Sequence, residues 1–387
     1  MRTTSDSLFP DLDITERPLR TTGILPSQAI RQFLQSERIR SSAEISEEQV
    51  QPASIDLRLG PVAYRVRASF LPGLKSTVEE RISSLRIARV DLSGGAVFER
   101  GCVYIVPLME SLALPYDVEA RANPKSTTGR LDIFMRLITD YGNEFERVAR
   151  GYRGPLYAEV VSRTFTVHVR EGLRLNQIRF IRGSPPSHDG TLVELDERET
   201  LLYEDEDSPA KARIDRGLRV GVKLAADSDT EVVAYKARKN APSIDLAKRN
   251  HYNPEEFWED VYSNSSKSLV LDPGDFYLLA SDKKVRIPPD HAAEMVPYDP
   301  SIGEFRVHYA GFFDPGFGYG LSDILGTLAV LEVRAHEVPI MIEHGQEVAR
   351  LVYSPMIARP DKIYGKDIGS SYQQQGLSLS KQFKRTV

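Results

Sequence analysis

The chain has 387 residues, enough for two ordinary domains, and its 50 Lys and Arg against 55 Asp and Glu leave a net charge of −5, which offers no general attraction to a nucleic-acid backbone. The single cysteine, Cys102, excludes an intramolecular disulfide and a Cys-x-x-Cys metal site. No apolar run approaches membrane-spanning length and Met1 to Arg20 carries no signal-peptide pattern, so a soluble protein of the reducing cytoplasm is expected, with no membrane or nucleic-acid partner.

In chain order, residues 1 to about 22 read as a loose arm, and Ser27 then caps a short helix with Ala29, Ile30, Phe33 and Leu34 on one face. From Ser54 the pattern turns to short strands, with Leu57, Leu59, Val62, Tyr64 and Val66 broken by Gly60-Pro61. Residues 67–98 hold a charged helical piece near Val78 to Ile87 and a strand at Ala88 to Leu92. Strands follow at Val103 to Val106, Val118 to Ala120, Tyr157 to Val161 and across Phe165, Val167 and Val169. Residues 184–216 read as a linker, with a strand at Leu192 to Leu195 and a solvated acidic run, Glu204-Asp205-Glu206-Asp207. Beyond it, the clearest helix signal starts at Asn253-Pro254-Glu255-Glu256 and turns Phe257, Trp258 and Val261 inward. Short strands parted by Gly and Pro, with little helix, predict a mainly β fold with a barrel or sandwich in each half.

The halves repeat one another. Tyr104 and Tyr277, Pro115 and Pro288, Ala120 and Ala293, Pro124 and Pro297, Glu159 and Glu332, and Gly172 and Gly345 all lie 173 positions apart. Upstream, Ser54-Ile55-Asp56-Leu57 recurs as Ser243-Ile244-Asp245-Leu246 at another offset, because residues 67–98 are an insertion in the first copy. Two copies are too few for a solenoid and read as tandem domains: 1–183, the linker 184–216, and 217–387. Within the second copy Glu332 interrupts the apolar run Leu328-Ala329-Val330-Leu331-Glu332-Val333. A carboxylate there either loses its solvation for a purpose or lies on the strand's wet face.

Several stretches, in this order, resemble the dCTP deaminase branch of the dUTPase-like trimeric β-barrel family. Ser54-Ile55-Asp56-Leu57-Arg58-Leu59-Gly60 resembles its early strand, and Lys125-Ser126-Thr127-Thr128-Gly129-Arg130-Leu131 its phosphate loop. Tyr309-Ala310-Gly311-Phe312-Phe313-Asp314-Pro315-Gly316 resembles its pyrimidine hairpin, Val330-Leu331-Glu332 the strand of its catalytic glutamate, and Tyr364 to Gly376 its closing tail. The copies depart from that pattern in complementary ways. The second has Tyr298-Asp299-Pro300-Ser301 at the phosphate loop, and the first has Ala149-Arg150-Gly151-Tyr152-Arg153-Gly154 at the hairpin, without the Asp. Family sites form between neighbouring units, so the resemblance implies two dUTPase-like distorted β-barrel domains with a few short helices and a composite site between them, within one chain or across a homo-oligomer.

The resemblance further implies that Lys125, Ser126, Thr127 and Arg130 hold the triphosphate of dCTP, with Mg²⁺ bound through its phosphate oxygens. Glu332 would be catalytic, Asp314 would hold the sugar or orient the hairpin, and Ala310 and the backbone around Val330 would read the base. Tyr364 and Gln375 would close over the phosphates; the family's tail lysine falls at Ser371, with Lys366 or Lys362 as substitutes, and His308 sits at the hairpin histidine position. The His-x-Glu and Pro-Cys-x-x-Cys pattern of zinc deaminases is absent from the sequence, so proton transfer by one glutamate, without zinc, is the expected route to dUTP and ammonia. Glu159 would survive as a remnant paired to Arg150 or Arg153. The competing readings are a bifunctional deaminase and dUTP pyrophosphatase giving dUMP, and a silent nucleotide-binding regulator.

Overall fold

The computed structural model describes residues 20–204, 208–226, 228, 230–297, 305–307, 311–320, 322–335, 337–365 and 376–385. The chain is mainly β. In the first half Arg153–Ser162 lies antiparallel between Val103–Ala113 and Ile133–Thr139, and in the second Thr327–Ala335 lies likewise between Phe276–Val285 and Phe305–Val307. Glu159 stands opposite Ile105, and Glu332 opposite Leu278. Ala120 stands opposite Phe180, and Ala293 opposite Tyr353. Every member of these pairs has its counterpart 173 positions on, so the textual repeat is also a repeat of hydrogen-bonded register.

The two halves are packed into each other. The first core, built around Phe33, Val106, Ala158 and Phe180, also takes in Phe257, Trp258 and Phe383 from the second half, and Ile244–Asp245 joins Val167–His168 as a parallel strand. This docking decides what happens to the Glu332 strand. Side chains alternate across a strand. Ala329, Leu331, Val333 and Ala335 fill the second core, whereas Val330 packs on the first core and Glu332 and Arg334 are buried beside it. Glu332 therefore lies on the outer face of its own sheet, and the other half makes that face dry. In the first copy the matching face, with Ile105, Ile138 and Tyr157, is closed instead by Val66 with Val78 and Ile82 of the insertion.

Several local expectations change. The linker contains a helix, Asp189–Glu199, rather than a strand; Leu192 and Leu195 are one turn apart and both buried, and the His188 side chain accepts the Thr191 N–H at the start. The Asn253 stretch makes only a single 3₁₀ turn, Pro254–Glu256. Trp258–Tyr262 is then drawn into a strand against Val232–Ala237, because cross-strand pairing outweighs a helix signal confined to one turn. Ser27 is the first residue of the helix Ser27–Gln35 rather than its cap, and its hydroxyl bonds the Asp361 carboxylate. Most of the predicted N-terminal arm lies outside the described residues. Among those described, no helix is long and apolar enough to cross a membrane.

Candidate active site

One cavity of about 60 Å³ brings together Lys125, Ser126 and Arg130 of the first half with Asp314, Val330, Glu332 and Tyr364 of the second. Lys125 leads into the short helix Ser126–Gly129, which the Thr128 hydroxyl ties down by donating to the Leu175 carbonyl at 2.8 Å. Lys125 itself is paired to the buried carboxylate of Asp56, with Arg174 3.9 Å from the same group. The recurring Ser-Ile-Asp-Leu motif thus places the acid that aims the loop's cation. Thr127 does not line the cavity; its carbonyl accepts the Ser380 hydroxyl at 2.8 Å.

Glu332 comes from the opposite wall and meets this loop directly. A Cβ on Gly129 would lie 2.8 Å from the Glu332 carboxyl carbon and from both its oxygens, so only glycine lets the two elements approach this closely. Burial pushes the Glu332 carboxyl up to about 8, with Arg130 pulling it down and Asp132 adding to the rise. Asp132 is fully buried, accepts from Thr164, and is paired to Arg334, two residues beyond Glu332 on the same strand face. Just beside Val330 the ladder breaks, between Ala280 and Lys284, and the Ser281 hydroxyl accepts the Ala329 N–H. Such irregularities re-aim groups next to sites.

The hairpin is fixed by a residue from the other half that the sequence reading missed. Arg179, buried on the strand Arg174–Arg182, donates to the carbonyls of Ala293 and Phe313 at 3.1 and 3.3 Å and to Asp314 at 3.2 Å, with its guanidinium 4.0 Å from the Phe312 ring centre. Asp314 is buried, and desolvation raises its pKa against the pull of Arg179. Gly316 follows at a φ of +95°, where the Tyr364 N–H donates to the Pro315 carbonyl and the Tyr364 ring packs 5.3 Å from Phe317.

Of the two lysines expected in the tail, only Lys362 lies among the described residues. Lys362 is engaged by Glu47 at 2.8 Å, whereas Ala310, His308, Lys366, Ser371 and Gln375 lie outside the described residues. The tail returns to the loop further on. Arg130 donates to the Ser378 carbonyl and hydroxyl at 3.0 and 2.8 Å, and Ser380 bonds Thr127. Lys381, next in the chain, is pushed down to about 8 by burial and by the charges of Arg249, Lys125 and Arg174, with Asp56 opposing them. Cations crowded together in this way suit a multiply charged anion.

Among its described residues the first copy holds no matching arrangement. Glu159 pairs with Arg136 at 3.0 Å, not with Arg150 or Arg153; Arg136 in turn stacks 3.5 Å from the Phe145 ring centre, and Arg150 reaches Glu119.

Residues 21–184 match the N-terminal domain and residues 188–383 the C-terminal domain of the model for 2'-deoxycytidine 5'-triphosphate deaminase. The crystal structure of 2'-deoxycytidine 5'-triphosphate deaminase from Agrobacterium tumefaciens is similar at 48% identity and a TM-score of 0.82, covering 87% of this chain and 100% of that one. A "dCTP deaminase, dUMP-forming" of Halobacterium salinarum is 28% identical over 36% of this chain and 67% of its own length. A "dCTP deaminase" of Natronomonas pharaonis is 30% identical over 31% and 60%.

Proposed function

The chain belongs to the 2'-deoxycytidine 5'-triphosphate deaminase family, and we propose that it hydrolyses dCTP to dUTP and ammonia, with Glu332 moving the protons. One observation carries this reading: a cationic turn of the first half and a buried carboxyl of the second line the same cavity.

Lys125, Arg130 and Lys381 offset the phosphate charge, with Ser126 donating a hydrogen bond. Mg²⁺ would be held by the substrate's own phosphate groups and would supply further positive charge there; the chain's own groups at this end, Lys125 and Lys381 among them, are mostly cations, which suit phosphate rather than a metal. Asp314 holds the sugar, Ala310 and the backbone near Val330 read the base, and Tyr364 and Gln375 close the site. A volume of about 60 Å³ is below the ~300 Å³ typical of ligand pockets, so the walls part to admit substrate.

A carboxyl with a pKa of about 8 is protonated at neutral pH. Glu332 gives its proton to ring N3, making C4 electrophilic. The resulting carboxylate takes a proton from the attacking water and returns it to the amine, which leaves as ammonia. The C4 hydroxyl then gives up its proton, restoring the acid and leaving a carbonyl. No step needs a zinc-bound hydroxide.

The test is to supply dCTP and follow ammonia, dUTP and dUMP with and without Mg²⁺. Ammonia and dUTP in equal amounts, abolished by omitting Mg²⁺ and unaffected by a zinc-selective chelator, are expected. Binding of dCTP without ammonia would refute the proposal, and dUMP as the product would assign the dUMP-forming activity instead.

Two variants probe the walls separately. Gly129→Ala pushes a methyl group against the Glu332 carboxyl and is expected to lower kcat about 100-fold, the scale of an ångström's misplacement, with the fold retained by circular dichroism. Lys381→Met is expected to raise KM for dCTP about tenfold while changing kcat little, since it removes one charge-assisted contact to phosphate.

A further inference from the structure

Further along the same face of the Glu332 strand, where Arg334 meets Asp132, lies a second cavity of about 210 Å³ at the junction of the two halves. Five cations line it, Arg100 and Arg163 from the first half and Arg238, Lys239 and Arg334 from the second, against one carboxylate, Asp275. Asp275 is already shared between Lys239 at 3.1 Å and Lys236 at 2.8 Å, and Arg238 is held by Glu259 at 3.2 Å. Among the described residues, Arg100 and Arg163 have no ion-pair partner. Arg334 is buried, and its Nε–H finds no acceptor although its terminal nitrogens reach Asp132 and the Gly274 carbonyl.

A surplus of positive charge lining a concave space focuses a positive field that attracts anions. The volume suits a short phosphate chain and is too small for a folded partner's surface. We propose that this cavity is a second anion site, distinct from the catalytic one, and that it takes a di- or triphosphate, either inorganic or carried by a nucleotide. The planar forks of Arg100 and Arg163 are matched to phosphate oxygens, the Arg334 Nε–H is a donor without an acceptor, and Lys239 can turn from Asp275 to the ligand. Residues from both halves would then hold the anion, so binding also fastens the domain junction.

Calorimetric titration of the Arg130→Ala protein, in which the catalytic phosphate contact is weakened, reads this site directly. Inorganic triphosphate is expected to bind once per chain, and Arg163→Glu added to that background should weaken binding about tenfold or more. Arg100→Glu, on the exposed rim, provides the same test should the Arg163 variant fail to fold. Repeating the titration with dATP separates the sources: equal binding of both assigns the bare phosphate chain, and binding of dATP alone assigns a nucleotide. Absence of saturable binding by either, or binding unchanged by both charge reversals, would overturn the proposal.

Discussion

Glu332→Gln is expected to lose deamination by about 10³-fold in kcat and at the same time to make the protein more stable than its parent at neutral pH. The two effects have one origin. In the unfolded chain this carboxyl titrates at its ordinary 4.5, and in the folded protein at about 8. A raised folded pKa means that the group's contribution to stability is complete below about 4.5 and is lost as pH climbs to about 8. At pH 7 the parent therefore carries a cost of about 3 kcal/mol that an uncharged amide of the same size avoids. Thermal melts should show the variant's advantage absent at pH 4, growing to pH 8 and level beyond. The parent's kcat/KM should fall as pH rises through about 8, because the proton donor is spent. A glutamine variant that is both destabilised and active would contradict the role given to Glu332.

Arg179→Met is expected to cost about 3–5 kcal/mol, the usual loss when one member of a buried ion pair is removed. Asp314 would be left buried with its principal cation gone, and the carbonyls of Ala293 and Phe313 would lose their shared donor. The charge problem can be relieved without restoring the site. Adding Asp314→Asn to Arg179→Met should recover most of the stability, since no uncompensated carboxylate remains, while activity stays low because the hairpin has lost both its anchor and its sugar contact. A double-mutant cycle by chemical denaturation measures the coupling. Additive losses would show that the pair does not hold the hairpin.

What could be read in the sequence was whatever depends on short spacing. The 173-residue offset, the Lys125 to Arg130 turn, the Asp314-Pro315-Gly316 turn and the acid in the strand at Glu332 are all local text, and the β class follows from strand periodicity. What stayed hidden lies between segments far apart in the chain. Arg179 and Asp314 are 135 positions apart, and nothing in the alternation of Arg174–Arg182 says that its arginine crosses to the other half. The dryness of Glu332 is of the same kind, because its burial comes from the first half rather than from its own sheet. Lys381 lies past the family-like tail motif and gains its meaning only from the docking of Ser378 and Ser380 on the loop. The missed helix at Asp189–Glu199 had a readable signal in the three-residue spacing of Leu192 and Leu195, masked by the acidic residues around them.

The insertion of residues 67–98 also gains a physical role. It closes the Tyr157 face of the first copy, where the second copy relies on the first half for cover. With Arg136 neutralising Glu159 beneath that closure, the first unit keeps the fold of a site without its chemistry.

The central claim is that Arg130 and Glu332 of a single chain serve one nucleotide. Co-expressing the Arg130→Ala and Glu332→Gln chains and assaying the purified mixture for ammonia release from dCTP tests it most directly. If each site is built within one chain, every chain in the mixture carries a defect and activity stays at the level of the separate variants. Recovery of a substantial fraction of parental activity would show that the loop and the glutamate are donated by different chains, and would contradict the account.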